Sequence, residues 1–159
     1  MRKIILNTLI EEKFKLIGIN ASIEPYKLAF LINKHLRMSF TRSTEDVEVV
    51  HKEQIIYYLL YKYQDPRSTC KLFFVQNKSK YRDQSSKFVN SLFETQDHFA
   101  SQYLVSSRKQ TDYFVKIVDE FDRFKLRKMI LELNDIPQII SAYEIPSGDV
   151  KSPENLIFE

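Results

Sequence analysis

The sequence predicts an α+β domain in which a largely antiparallel sheet carries two main helices. Two strand–helix patterns, at residues 13–37 and 111–145, flank a central set of short apolar runs that lack helical spacing. The chain also contains 12 Phe and 9 Tyr but no Trp, and such aromatic side chains favour sheets. With 159 residues, of which 43% are hydrophobic, we expect a single domain over 1–159 that ends in a tail at 146–159.

The first pattern begins with a strand at residues 13–19, where apolar and polar side chains partly alternate. Ser22 and Pro25 then indicate the start of a helix, because proline is tolerated in a first turn whose amides lack partners. Apolar side chains recur at helical spacing from Leu28 to Leu36, and the helix is expected to end near Arg37.

The central set predicts strands at residues 47–50, 55–63 and 70–76. The run at 55–63 is apolar on both alternating faces, which is typical of a strand covered on both sides or buried at a dimer interface. A helix would also fit its length, but the turn-forming residues at 65–68 favour a hairpin. Residues 77–91 are polar and basic and predict a loop, and a short strand follows at 103–105.

The second pattern begins with the aromatic and β-branched strand at 111–118. Asp122 can cap the following helix, with Phe121 and Leu126 as a hydrophobic staple, and the helix must stop before Pro137. A further strand is predicted at 139–145. If the two strands lie parallel in one sheet, their helical crossover should be right-handed. Such β-α-β halves predict a ferredoxin-like fold and are similar to ACT regulatory domains.

The segment VSSRKQTDY at residues 105–113 resembles an uncharacterised bacterial family named for an Ile-Pro-Glu-x-x-x-Val-Asp-Tyr motif, with Asp112 and Tyr113 in agreement. The order of LIGI at 16–19, LINK at 31–34, FVKI at 114–117 and KSPENLIF at 151–158 also looks like that family, over nearly the whole chain. Ser106 and Ser107 replace the family's proline and glutamate, so no role for that carboxylate carries over. The family has no established activity, and the resemblance implies fold and compartment alone.

Common catalytic and cofactor motifs are missing from the sequence. Two glycines cannot supply a glycine-rich phosphate loop, and no Gly-x-Ser-x-Gly elbow is present. The three histidines lie far apart, and Cys70 has no clear general base beside it. We therefore predict no catalytic residue, metal site or cofactor. Asp112 and Tyr113 are interpreted as structural, with the tyrosine packed inward and the aspartate holding the hairpin.

Two segments remain as candidate binding surfaces. One is the basic loop with Lys78, Lys80, Arg82 and Lys87, where aromatic side chains interleave with cations. A solvated loop is the favoured interpretation, and a net charge of +3 gives little attraction to polyanions, so nucleic acid binding is not expected.

The other segment is the apolar chain end, which could pack on its own domain, on a second copy or on another protein. Its three apolar residues are Leu156, Ile157 and Phe158.

The sequence does not specify an activity. We expect a non-enzymatic, self-associating interaction domain, because the run at 55–63 and the chain end both offer apolar surface. The alternative is a small-ligand sensor similar to ACT domains, in which Gly18 would form the turn after the first strand. An enzyme has the least support. A single cysteine and the lack of a signal peptide or membrane-length apolar run indicate a cytoplasmic protein.

Overall fold

The computed structural model describes residues 13–84 and 98–158, which form ten strands and two helices. The strands are β1 (Phe14–Asn20), β2 (Thr41–Arg42), β3 (Val47–His51), β4 (Gln54–Tyr58), β5 (Leu60–Gln64), β6 (Lys71–Gln76), β7 (Lys78–Arg82), β8 (Phe99–Tyr103), β9 (Tyr113–Val118) and β10 (Ser141–Ile145). The helices are α1 (Pro25–Leu36) and α2 (Leu126–Asn134). These elements confirm the predicted α+β class.

Six strands form the main sheet in the order β10-β1-β9-β6-β5-β2, and every neighbouring pair is antiparallel. It follows that β9 and β10 run parallel to each other with β1 between them. In the same way, β1 and β6 run parallel with β9 between them. Each of the two helices therefore lies in a split β-α-β connection, and the two connections interlock through the sheet.

The predicted strand at 55–63 is wrong in one respect, because the chain forms two strands there in different sheets. β4 pairs with β3 in a separate hairpin, whereas β5 pairs with β6 in the main sheet. Tyr58, the last residue of β4, and Leu60, the first residue of β5, are both buried. The apolar character on both faces thus reflects a crossing between two layers.

The predicted loop at 77–91 is also corrected, since its first part is strand β7, which pairs antiparallel with β8. Lys78, Lys80 and Arg82 lie on this strand, and Lys87 lies outside the described residues. β8 ends at Tyr103, where a strand was expected to begin, so Leu104 and Val105 follow the strand and are buried beneath it in the core.

The predicted cap of the second helix is wrong as well. The Asp119 carboxylate accepts the amides of Phe121, Arg123 and Phe124 at 3.2, 2.6 and 2.6 Å, so it orders the turn before α2. Asp122 has a positive φ of 49° and forms an ion pair with Lys15. Phe121 is 60% exposed and makes no staple. A carboxylate one turn earlier is close enough in sequence to compete for the same amides.

The main sheet is covered on both faces. One face packs against the two helices, through buried residues such as Ile17, Val115 and Leu133. The other face, which includes Leu16 and Phe114, packs against the β3–β4 hairpin, the segment after β8 and the chain end. The sheet is therefore the middle layer of three.

Gly18 lies inside β1, where Tyr143 of the neighbouring strand β10 packs over it. A Cβ atom at Gly18 would lie 2.7 Å from Tyr143 Cε2 and 2.9 Å from Ile145 Cδ1. Close packing between strands therefore requires glycine here. The residue does not form a turn after the first strand.

Candidate functional site

Asp112 and Tyr113 tie the start of β9 to the loop between β1 and α1. The Asp112 carboxylate accepts the Ala21 amide at 2.9 Å, and the Tyr113 hydroxyl donates to the Ile23 carbonyl. Burial raises the pKa of Tyr113 to about 12, and the charge of Asp112 adds to this effect. The phenol is therefore neutral at physiological pH, and both side chains bond to the loop between β1 and α1.

Asn77 is a buried polar residue that the sequence analysis did not single out. Its side chain donates to the carbonyls of Arg108 and Thr111 at 2.9 and 2.7 Å, and its Oδ1 accepts the Val105 amide at 2.9 Å. The backbone amide of Asn77 donates to the Asp112 carbonyl, and the backbone carbonyl of Asn77 accepts the Leu104 amide. These five bonds fix residues 104–112 against the end of β6. The one sequence signal is an Asn between two strands, which is typical of many turns.

The β7–β8 ribbon presents cations and aromatic rings on one face. Lys78, Lys80 and Arg82 alternate along β7 and are all exposed. Their cross-strand partners on β8 are Tyr103, Ser101 and Phe99 respectively. We call these six residues the basic ribbon face. Sequence alone placed the three cations together but could not place the β8 residues opposite them.

The outer face of the β3–β4 hairpin is apolar and exposed. Val50 and Ile55 are directly opposite each other, and Tyr57 lies on the same face opposite Glu48. Val50, Ile55 and Tyr57 are 72%, 51% and 52% exposed. The inner face of the hairpin, with Ile56 and Tyr58, is buried against the main sheet. We call Glu48, Val50, Ile55 and Tyr57 the hairpin face.

The chain end packs largely on its own domain. Leu156 and Phe158 are buried, and the ring of Phe158 lies 5.4 Å from that of Phe73. The buried Lys116 ammonium lies 5.6 Å from the centre of the Phe158 ring. Ile157 points outward and is 61% exposed. Leu156 and Phe158 therefore pack on their own domain, the first of the three alternatives for this segment. Of the three apolar residues, only Ile157 is exposed to a second copy or another protein.

A cleft of about 980 Å³ lies where the end of α1, the turn between β5 and β6 and the turn before α2 meet. Basic side chains line it in excess of acidic ones. They are His35, Arg37, Arg67, Arg123, Lys125 and Lys128, against Asp65, Asp119 and Glu132.

Cys70 lies at the base of this cleft, and burial raises the pKa of its thiol to about 11. The protonated, buried thiol is a poor nucleophile. Among residues 13–84 and 98–158, no group of three or more His, Cys, Asp or Glu could hold a metal ion. The cleft thus offers an excess of basic side chains to a small anion.

Neither helix in the described part of the chain has the length and apolar character needed to cross a bilayer. No protein-family model, curated protein or solved structure matches this chain.

Proposed function

We propose that this protein is a non-enzymatic interaction domain that self-associates through the hairpin face. The observation that carries the proposal is the exposure of three large apolar side chains, Val50, Ile55 and Tyr57, on one side of a hairpin whose other side is buried. An apolar cluster of this kind loses unfavourable contact with water when it is covered.

A second copy of the chain is the proposed occupant of this face. All four residues lie on one side of a single antiparallel pair of strands, and a continuous apolar face of this kind can pack on its own copy about a two-fold axis. β3 pairs with β4 alone in a two-stranded sheet, so no other described strand lies along its second edge, and a second copy could pair there. Glu48 is the one charged member, at the margin where a polar rim is expected.

Sedimentation velocity over a range of concentrations tests the proposal with the wild type and three variants. The wild type should form a dimer at low micromolar concentration, and Val50→Glu and Ile55→Glu should each shift it to monomer, because a buried carboxylate without a partner opposes association. Ile140→Glu is the matched control, since Ile140 is 71% exposed outside the hairpin. A wild type that stays monomeric, or equal loss of the dimer in all three variants, would contradict the proposal.

We also propose that the four strands β10-β1-β9-β6 and the two helices are a ferredoxin-like core, and that the chain is a bacterial cytoplasmic member of the family that its TDY segment resembles. The interlocked β-α-β connections and the single buried cysteine support this. The alternative of an ACT-like sensor has less support. Gly18 lies within β1, and the cleft of about 980 Å³ lies between surface turns.

A further inference from the structure

The basic ribbon face is a second surface that self-association does not explain. Because side chains alternate along a strand, Lys78, Lys80 and Arg82 project from the same side of β7 at intervals of about 6.8 Å, twice the rise per residue. The net charge of the chain gives no reason to expect polyanion binding, but a local row of cations attracts a polyanion whatever the net charge is.

A fourth cation joins this row at the ring of Tyr103. The ammonium groups of Lys78 and Lys109 each lie 5.9 Å from the centre of that ring. Two like charges are thus held near one ring, which attracts both through its electron-rich face. A phosphate bound beside this ring would therefore have two cations to neutralise it.

The carboxylates in the adjoining cleft are engaged elsewhere. Glu24 pairs with Lys27 at 3.0 Å, Asp46 pairs with Arg42, and Asp112 accepts the Ala21 amide at 2.9 Å. These three acidic side chains line the cleft of about 700 Å³ that Lys78 and Lys80 also line. These contacts partly offset the negative charge of the three carboxylates. The carboxylates therefore oppose the binding of a polyanion to Lys78 and Lys80 less strongly.

Phe99 adds an open aromatic surface beside the cations. It is 68% exposed and lies opposite Arg82 in the ribbon. Bases stack on exposed aromatic rings, and cations next to those rings neutralise the phosphates, which is how sequence-tolerant single-strand binding surfaces work. We propose that the basic ribbon face binds single-stranded nucleic acid, with the lysines on phosphates and Phe99 stacked on a base.

Other polyanions fit this face less well. An acidic peptide would use the cations but would leave the Phe99 ring without a role. A lipid surface takes a broader apolar face, whereas the residues of the ribbon face apart from Phe99 and Tyr103 are Lys, Arg and Ser. A duplex keeps its bases stacked inside, so it would engage the lysines but not the ring.

Fluorescence anisotropy of a labelled twelve-nucleotide oligouridine at low salt tests the proposal with the full chain. In the variant Lys78→Glu/Lys80→Glu, affinity should fall at least tenfold, and the slope of log K against log salt should shrink by about 1.4, at about 0.7 for each phosphate contact. In Phe99→Ala, affinity should fall about tenfold with the slope unchanged, because stacking is lost and charge is kept.

The matched control is Lys34→Glu/Arg127→Glu, which makes the same charge change at two exposed cations on the helices. The helices cover the sheet face opposite the one against which Tyr81 of the ribbon packs, so this variant should leave affinity nearly unchanged. If Lys78→Glu/Lys80→Glu does not fold, the variant Lys78→Gln/Lys80→Gln serves in its place, and it should also lose affinity because both positive charges are removed. The proposal is overturned if the wild type does not bind, if the control pair loses as much affinity as the ribbon pair, or if Phe99→Ala binds normally. Equal binding of a matched duplex, or tighter binding to phosphatidylserine vesicles with the same dependence on the variants, would also overturn it.

Discussion

Two buried tyrosines of this fold differ in the environment of the hydroxyl group. The Tyr113 hydroxyl donates to the Ile23 carbonyl, whereas the Tyr58 hydroxyl is buried without a hydrogen-bond partner among the described residues. Removing a bonded hydroxyl costs about 1 kcal/mol, whereas removing an unsatisfied buried one relieves a desolvation cost of similar size. We expect Tyr113→Phe to lower the free energy of unfolding in urea by about 1 kcal/mol and Tyr58→Phe to raise it by about the same. Equal losses in both variants would show that the hydroxyl bonds do not decide their stability.

At this scale the sequence predicts which side chains turn inward, but not what they bond to. Alternation along the strand at 111–118 was enough to expect an inward tyrosine beside an aspartate, and both residues do contact the loop after β1. The partners could not be predicted, because the Asp112 carboxylate and its amide at Ala21 are 91 positions apart. Asn77 was missed for the same reason, since its side chain reaches residues more than 25 positions away.

At the scale of elements, local patterns located most strands and both helices but not their sheets. The apolar run at 55–63 predicts one strand, because a strand covered on both faces and a crossing between layers leave the same apolar pattern. The basic segment after Asn77 predicts a loop, but its polar and charged composition is equally typical of an exposed ribbon. Each error affects a candidate binding surface. The hairpin face and the basic ribbon face both arise from strand pairing, which amino-acid composition alone does not predict.

The chain end gives a stability test within three consecutive residues. Leu156 is 1% exposed and packs on the sheet face opposite the helices, whereas Ile157 is 61% exposed. Leu156→Ala should lower the free energy of unfolding by about 2–4 kcal/mol, as for other buried leucines. Ile157→Ala should change it by less than about 0.5 kcal/mol. Chemical denaturation of the two variants measures both, and a large loss in Ile157→Ala would mean that this side chain is covered in solution, by a second copy or another part of the chain.

At the scale of the whole molecule, burial within the three layers makes stability depend on pH in the alkaline range. Burial raises the pKa of Tyr58 and Tyr113 from 10.0 to about 12 and that of Cys70 from 9.0 to about 11. These groups are neutral when protonated, so the folded state retains its protons at pH values where the unfolded chain has released them. The contribution of the three groups to the free energy of unfolding is therefore fully present below pH 9. It declines as the pH rises through 9 and 10 towards 12.

Thermal unfolding followed from below pH 9 to pH 11 should accordingly show a steepening fall in Tm. Each tyrosine contributes at most about 1.4 kcal/mol per pH unit between its unfolded and folded pKa values. Lysine deprotonation occurs in the same range, so the double variant Tyr58→Phe/Tyr113→Phe is the control that isolates the tyrosines. Its Tm should fall less steeply above pH 10 than that of the wild type, because phenylalanine has no proton to release. Parallel curves of Tm against pH for the wild type and the double variant would mean that the two phenols ionise as readily in the folded protein as in the unfolded chain. The layers on either side of the sheet would then admit solvent to the two hydroxyl groups.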